Sequence, residues 1–273
     1  MMIHILNFLQ SEMTRPVSYG WVHLLSLFLV IALTTLLILR FRSADERVVR
    51  RIMLVAWLLM VVGEVYKQIV YTWEVSDGMI VRDFQWYAFP FQFCSTPMYV
   101  LPFAIFLPEG RVRDAFLAFL GTFSLFGGLA VYAYPEDVFI RTIGVNIQTM
   151  LHHGLQVVIG VYLATRYYKK LNFRYYLKGL AVFAMLVLVA MAMNVGVHHA
   201  LVANGIDETF NMFFISPYHE CTLPVLSAIW PLVPYAVFLP MYVLGFGIVG
   251  FIIFGIEMGL TRLFRGKRQY AQK

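Results

Sequence analysis

The sequence predicts an all-α integral membrane protein: a bundle of about seven transmembrane helices, with the N-terminus outside and the C-terminus in the cytoplasm. Three observations lead there. Of its 273 residues 60% are hydrophobic and 13% charged, against about 25% charged in a soluble domain, so lipid must be the solvent for most of the chain. Apolar stretches of roughly 20 residues recur along it, each long enough to cross a hydrocarbon core of about 30 Å as a helix. Lys and Arg, finally, collect in alternate connections, as cytoplasmic loops require.

The expected spans are 19–41, 51–72, 87–107, 114–134, 144–165, 177–202 and 231–256. Runs such as VHLLSLFLVIALTTLLIL and GLAVFAMLVLVAMAM are long and continuous, whereas a β-barrel shows alternating segments of about 10 residues. Residues 1–18 lack the apolar core and small-residue cleavage site of a signal peptide, so the first span is expected to remain as an anchor, with Met1 to Phe8 along the interface. Seventeen of the 21 Lys and Arg lie in 40–51, 111–113, 166–178 and 262–273. The opposite side receives Arg15, Arg82 and Arg141, and Lys67 lies within the second span. The net charge of +6 is therefore topological, which excludes nucleic acid as the expected partner and directs the basic tail RLFRGKRQ to anionic headgroups of the cell membrane.

No linker or repeat divides residues 1–273, so they read as one domain. The connection 203–230 is long, holds no Lys or Arg, and is too apolar for an exposed loop. Punctuated by Pro217 and Pro224 and leading into Pro231 and Pro234, it reads as an outer lid or re-entrant piece. Cys94 and Cys221 are the two cysteines, and a disulfide between them is not favoured.

Ionisable and amide side chains within spans are expensive and usually face the bundle interior. Here Glu64 and Lys67 in the second span, Gln92 and Cys94 in the third, Gln148, His152 and His153 in the fifth, and Asn194, His198 and His199 in the sixth all lie within roughly 15 Å of the outer surface. Tyr218, His219 and Cys221 are placed to cap this layer. Structural readings stand beside the functional one. Glu64 and Lys67, at i and i+3, suit an ion pair, a lone intramembrane Cys suits packing, and the stripe Gln148, His152, Gln156 suits interhelical hydrogen bonding.

FPFQFCSTPMYVLP around Cys94 and TMLHHGLQ some 58 residues later resemble the bacterial YwaF-type integral membrane family, related to the animal transmembrane protein 164 acyltransferases. The resemblance extends to Glu64, to Asn211-Met212-Phe213 and to IWPLVPY, while Ser216-Pro217 stands where the relatives carry Lys-Pro. It implies transfer of a fatty acyl chain between phospholipids through a Cys–His pair, with Cys94 as nucleophile, His153 as base and His152 as the fallback. Such a base would generate the thiolate and later deprotonate a lipid hydroxyl, while Gln92, Tyr218 or His219 would stabilise the oxyanion. Glu64, Lys67, Gln148, Asn194, His198, His199 and Asn211 are the further substrate-site candidates. Membrane phospholipid or lysophospholipid is the expected partner, and no cofactor is expected. The competing function is a transporter or channel-like protein carrying protons or solute on Glu64, Lys67 and the histidines. A retinal receptor lacks its Lys in the seventh span, and a zinc site from His153, His199 and His219 has no compact spacing motif.

Overall fold

Helices account for nearly all regular structure, as the long apolar runs require. The computed structural model describes the backbone of residues 1–270 and the side chains of residues 1–260, so the side chains of the basic tail fall outside the described residues. Helix α1 (Met2–Leu9) covers the segment expected at the interface. It is followed by α2 (Trp21–Phe41) and α3 (Glu46–Val70). A two-stranded antiparallel hairpin, β1 (Trp73–Ser76) with β2 (Met79–Arg82), comes next. Its turn is Asp77-Gly78, both at positive φ, the pairing that tight hairpins favour.

The segment 87–107, expected as one continuous span, is broken. Short 3-10 turns at Trp86–Ala88 and Phe93–Ser95 precede α4, which runs only from Pro97 to Phe106. The reason is local: Phe89, held extended before Pro90, cannot continue a helix, and Pro97 starts one. The far end of α4 is held by arginines. Arg113 Nε donates to the Ala104 carbonyl at 2.7 Å, and Arg50 donates to the Ile105 carbonyl and, at 2.8 Å, to that of Leu107. Arg113, only 1% exposed, also pairs with Glu46, which accepts from the Tyr167 hydroxyl. Orphan carbonyls of the helix end are thereby satisfied without water.

Helices α5 (Arg111–Phe119) and α6 (Leu125–Ala133) are joined through a π-turn at Leu120–Ser124 into one rod. Helix α7 (Ile143–Arg166) is the axis of the bundle, flanked by α2, α3 and α6. Gly128 permits the close approach of α6: a Cβ there would stand 2.7 Å from the His153 carbonyl oxygen. Small residues at such crossings let two backbones meet in lipid. Helix α8 (Phe173–Ala203) packs on α5. A strap follows, with the short α9 (Leu226–Ile229), and then α10 (Tyr235–Tyr270).

Among the described residues four helices are long and apolar enough to cross a membrane: Trp21–Phe41, Arg111–Ala133, Phe173–Ala203 and Tyr235–Leu260. Between them α3 and α7, of 25 and 24 residues, have the length but carry the polar side chains of the candidate site. Lipid-facing apolar side chains are abundant, as on α2, where Leu25, Phe28, Leu29 and Leu36 are exposed.

Candidate functional site

The helix α7 stripe meets the break before α4. A helix presents residues four apart on one face, and His152 and Gln156 both reach the same atom across the interface. His152 Nε2 lies 2.9 Å from the Cys94 carbonyl oxygen, and Gln156 Nε2 donates to that oxygen at 2.8 Å. Cys94 sits in the single 3-10 turn Phe93–Ser95, ahead of the first α-helical turn at Pro97. Since a carbonyl only accepts, Nε2 of His152 carries the hydrogen, and Nδ1 of the neutral ring is a bare lone pair. That Nδ1 is buried and has no partner among the described residues. The Cys94 thiol is a free, half-buried group beside the Ser95 hydroxyl.

His153, preferred from the sequence as the base, is held differently. Its Nδ1 donates to the Thr149 carbonyl one turn back at 2.8 Å, which leaves Nε2 bare, buried and unpartnered. The two rings stand 5.7 Å apart, centre to centre. Gln148 is buried against Gly63 of α3.

From α3, Lys67 Nζ pairs with Glu64 Oε1 at 2.8 Å, and Gln68 Nε2 donates to the same oxygen and to the Ala88 carbonyl. The ion pair is thus the i, i+3 neutralisation expected from spacing. It also borders the reactive layer, where the opposite charges of Lys67 and Glu64 both reach Cys94 and that of Lys67 reaches His152 and His153.

The remaining candidates separate into two groups. Gln92, Asn194 and Asn211 hold the strap. Gln92 accepts from Phe213 N–H at 2.9 Å and donates to the Asn211 carbonyl at 2.9 Å. Asn194, fully buried, accepts from Met212 N–H at 2.7 Å and donates to the Met212 carbonyl at 3.0 Å. Asn211 takes Ser216 N–H and donates to the Glu220 carbonyl. These bonds stabilise Phe213 and Phe214, both at φ 57°, in a left-handed region that costs roughly 1–3 kcal/mol per residue. Phe213 packs on Phe91 and Phe93, and Phe210 on Trp86 and Phe89, so the strap rests on the segment that carries Cys94. Gln92, with its Oε1 and one Nε2 hydrogen engaged, anchors the strap.

The second group is at the C-terminal end of α8. Tyr218 stacks on His198 with centroids 3.7 Å apart, and its hydroxyl lies 3.2 Å from His199 Nε2. His219 stands 5.9 Å from the His198 ring. Burial pushes the His219 imidazole below its usual range, helped by His198 and opposed by Asp207. Among the described residues no group of His, Cys, Asp or Glu is arranged to hold a metal ion. Cys221 is a free, buried thiol.

Two side chains that sequence reasoning passed over belong to the description. Gln156 was legible only as part of a stripe, and its second contact, Oε1 packed toward Gly127, needs the structure. Glu257 on α10 is buried, with no partner for either carboxylate oxygen among the described residues. Its position one residue past the predicted seventh span concealed it.

Apolar helices enclosing a buried polar layer define a helical membrane protein. The chain belongs to the TMEM164 family, whose model matches residues 18–258. No curated protein matches it, and no solved structure does.

Proposed function

We propose that this protein is a lipid acyltransferase of the cell membrane, in which Cys94 and His152 move a fatty acyl chain between phospholipids. The observation that carries the reading is the bond of His152 Nε2 to the Cys94 carbonyl, which ties the imidazole to the segment of a free thiol and leaves its other nitrogen buried and, among the described residues, unpartnered. His152 replaces His153 as the principal base because its ring is tied to the Cys94 segment, whereas the ring of His153 is tied back to its own helix.

In the first half-reaction the Cys94 side chain turns toward the ring, the thiol gives its proton to His152 Nδ1, which has no partner in the resting arrangement among the described residues, and the thiolate attacks the ester carbonyl of a donor phospholipid. The C–O bond breaks, the departing lysolipid oxygen takes the proton from His152, and a thioester remains on Cys94. In the second, an acceptor hydroxyl loses its proton to the same imidazole and attacks the thioester. The C–S bond breaks, and the thiolate recovers the proton. The Lys67 ammonium, whose charge acts on Cys94, is the group suited to the developing oxyanion. The strap over 86–93 keeps water from the thioester.

The same reading sets seven crossings, with α4 and the turn before it as the third, and places the N-terminus outside. Support comes from the partition of seventeen cationic residues against three across the connections. The deciding experiment is incubation of the purified protein with mixed phospholipids, followed by mass spectrometry of the Cys94 peptide. A hydroxylamine-labile acyl adduct is expected there, and its absence under conditions where acyl chains are exchanged would overturn the mechanism.

A further inference from the structure

Two deep grooves face the surroundings, and they differ in how polarity runs along them. One, of about 610 Å³ between α2 and α7, is lined by apolar side chains apart from Ser26, Tyr132 and Asn146 and by no charged group. The other, of about 730 Å³ between α3 and α4, is graded. Its deep end is formed by Trp57, Val61 and Phe103, its middle by Glu64, and its outer end by Gln68 and Thr72. Trp57 on α3 and Thr72, two residues past its end, are fifteen residues apart, about 22 Å at the helical rise, against about 20–22 Å for half a bilayer with its headgroups. The groove exists because α4 begins only at Pro97, so the break leaves α3 uncovered beside it.

We infer that this groove binds one phospholipid or lysophospholipid of the outer leaflet, taken in sideways from the bilayer, with its polar part at Glu64 and its chain along Val61 and Phe103. This inference rests on the acyl-transfer reading and supplies its substrate site. The occupant follows from complementarity. An amphiphile standing in the leaflet has the same order of polar and apolar parts at the same depths. Glu64 and Gln68 line the groove and offer a carboxylate and an amide to a headgroup ammonium or a glycerol hydroxyl: a carboxylate has about four acceptor positions, and Gln68 and Lys67, the latter from outside the lining, both use Oε1. The groove also adjoins the chemistry. Pro90, Met98 and Tyr99 line it, and Cys94 lies between them on the same short segment, which Trp57 Nε1 fixes through the Met98 carbonyl at 2.8 Å.

The test is photo-crosslinking of the full chain carrying Cys94→Ala, in vesicles of phosphatidylcholine containing a phosphatidylethanolamine with a diazirine in its acyl chain. Adducts mapped by mass spectrometry should concentrate in 57–73 and 97–106. They should fall about tenfold, equivalent to about 1.4 kcal/mol, in Val61→Trp, which fills the groove. Val65→Trp, at an exposed position on its wall, repeats the test where folding is less at risk. Leu29→Trp, in the α2–α7 groove, should leave the adducts unchanged. Adducts spread evenly, concentrated in 21–33 and 143–158, or indifferent to both filling changes would overturn the inference. Because crosslinking reports occupancy without chemistry at Cys94, a failed thioester assay and an empty groove are separate results.

Discussion

The Nε2 of His152 and the carbonyl oxygen of Cys94 lie 2.9 Å apart, joining α7 to the broken entry of α4. One side of the imidazole is thereby committed to position and the other is left as a base. A side chain whose tautomer is set by a backbone acceptor is preorganised for proton transfer; both histidines have one, and what separates them is that the acceptor of His152 belongs to the Cys94 segment, whereas that of His153 is Thr149 of its own helix.

Substitution should therefore rank the two histidines. Cys94→Ser should abolish or nearly abolish acyl transfer, since a buried hydroxyl is far harder to ionise than a thiol. His152→Gln retains an amide donor for the Cys94 carbonyl but no base, and should cost about 10²–10⁴-fold in rate. His153→Gln should cost less, and Cys221→Ser should be nearly silent. Combining the Cys94 and His152 changes should add little to either alone. Radiolabelled acyl exchange between phospholipids in vesicles reads all five proteins. Full activity of Cys94→Ser would sink the mechanism and favour transport through the Glu64–Lys67 layer.

The proposed orientation is open to direct labelling. Cysteines introduced at Asp77 or Asp207 should react with a non-permeant maleimide added outside, while those placed in 43–50 and 168–174 stay protected until the membrane is opened. Reaction of both sets from one side would refute the seven-crossing arrangement.

Gly128 supports the α6–α7 crossing. A branched side chain meets the His153 carbonyl, the Gln156 Cβ and Val157 within 2.9 Å of its Cβ, and backbone cannot yield as a side-chain tip does. Gly128→Val should lower stability by about 1–3 kcal/mol. Gly245→Ala, with nothing within 4 Å, should be tolerated. Thermal unfolding in detergent compares the two, and equal midpoints would contradict this close approach.

The strap should open when its amide clamp is removed. Asn194→Leu leaves both Met212 N–H and C=O without their partner, at roughly 1–3 kcal/mol for each buried group. Proteolysis and hydrogen exchange over 205–225 should accelerate while α7 stays protected. An exchange pattern identical to that of the unchanged protein would show that the strap is held by its phenylalanines alone.

The β-hairpin was legible in the sequence but overlooked: Asp77-Gly78 between β-branched and aromatic residues is a turn signal in its own right. The broken third span was half legible, for Pro90 and Pro97 stand within it. What concealed it was the continuous apolarity of 87–107, which lipid enforces on helix and non-helix alike.

By itself the sequence determined that the chain is helical, that lipid is its solvent, that it belongs with the TMEM164 family, and which polar residues the helices must bury. Those properties follow from composition, periodicity and local motif, and need no knowledge of neighbours. Only the tertiary structure decided how the polar residues divide: Cys94, His152, His153 and Gln156 near the Glu64–Lys67 pair, Gln92, Asn194 and Asn211 on the strap, and His198, His199, Tyr218 and His219 at the rim. The physical reason is that a helix sets the face on which a residue stands, whereas the partner it meets there depends on the crossing of a second element. Residues 152 and 153 differ by one position in sequence and about 100° around the axis. That rotation gives one imidazole the Cys94 carbonyl of another segment and leaves the other with its own helix.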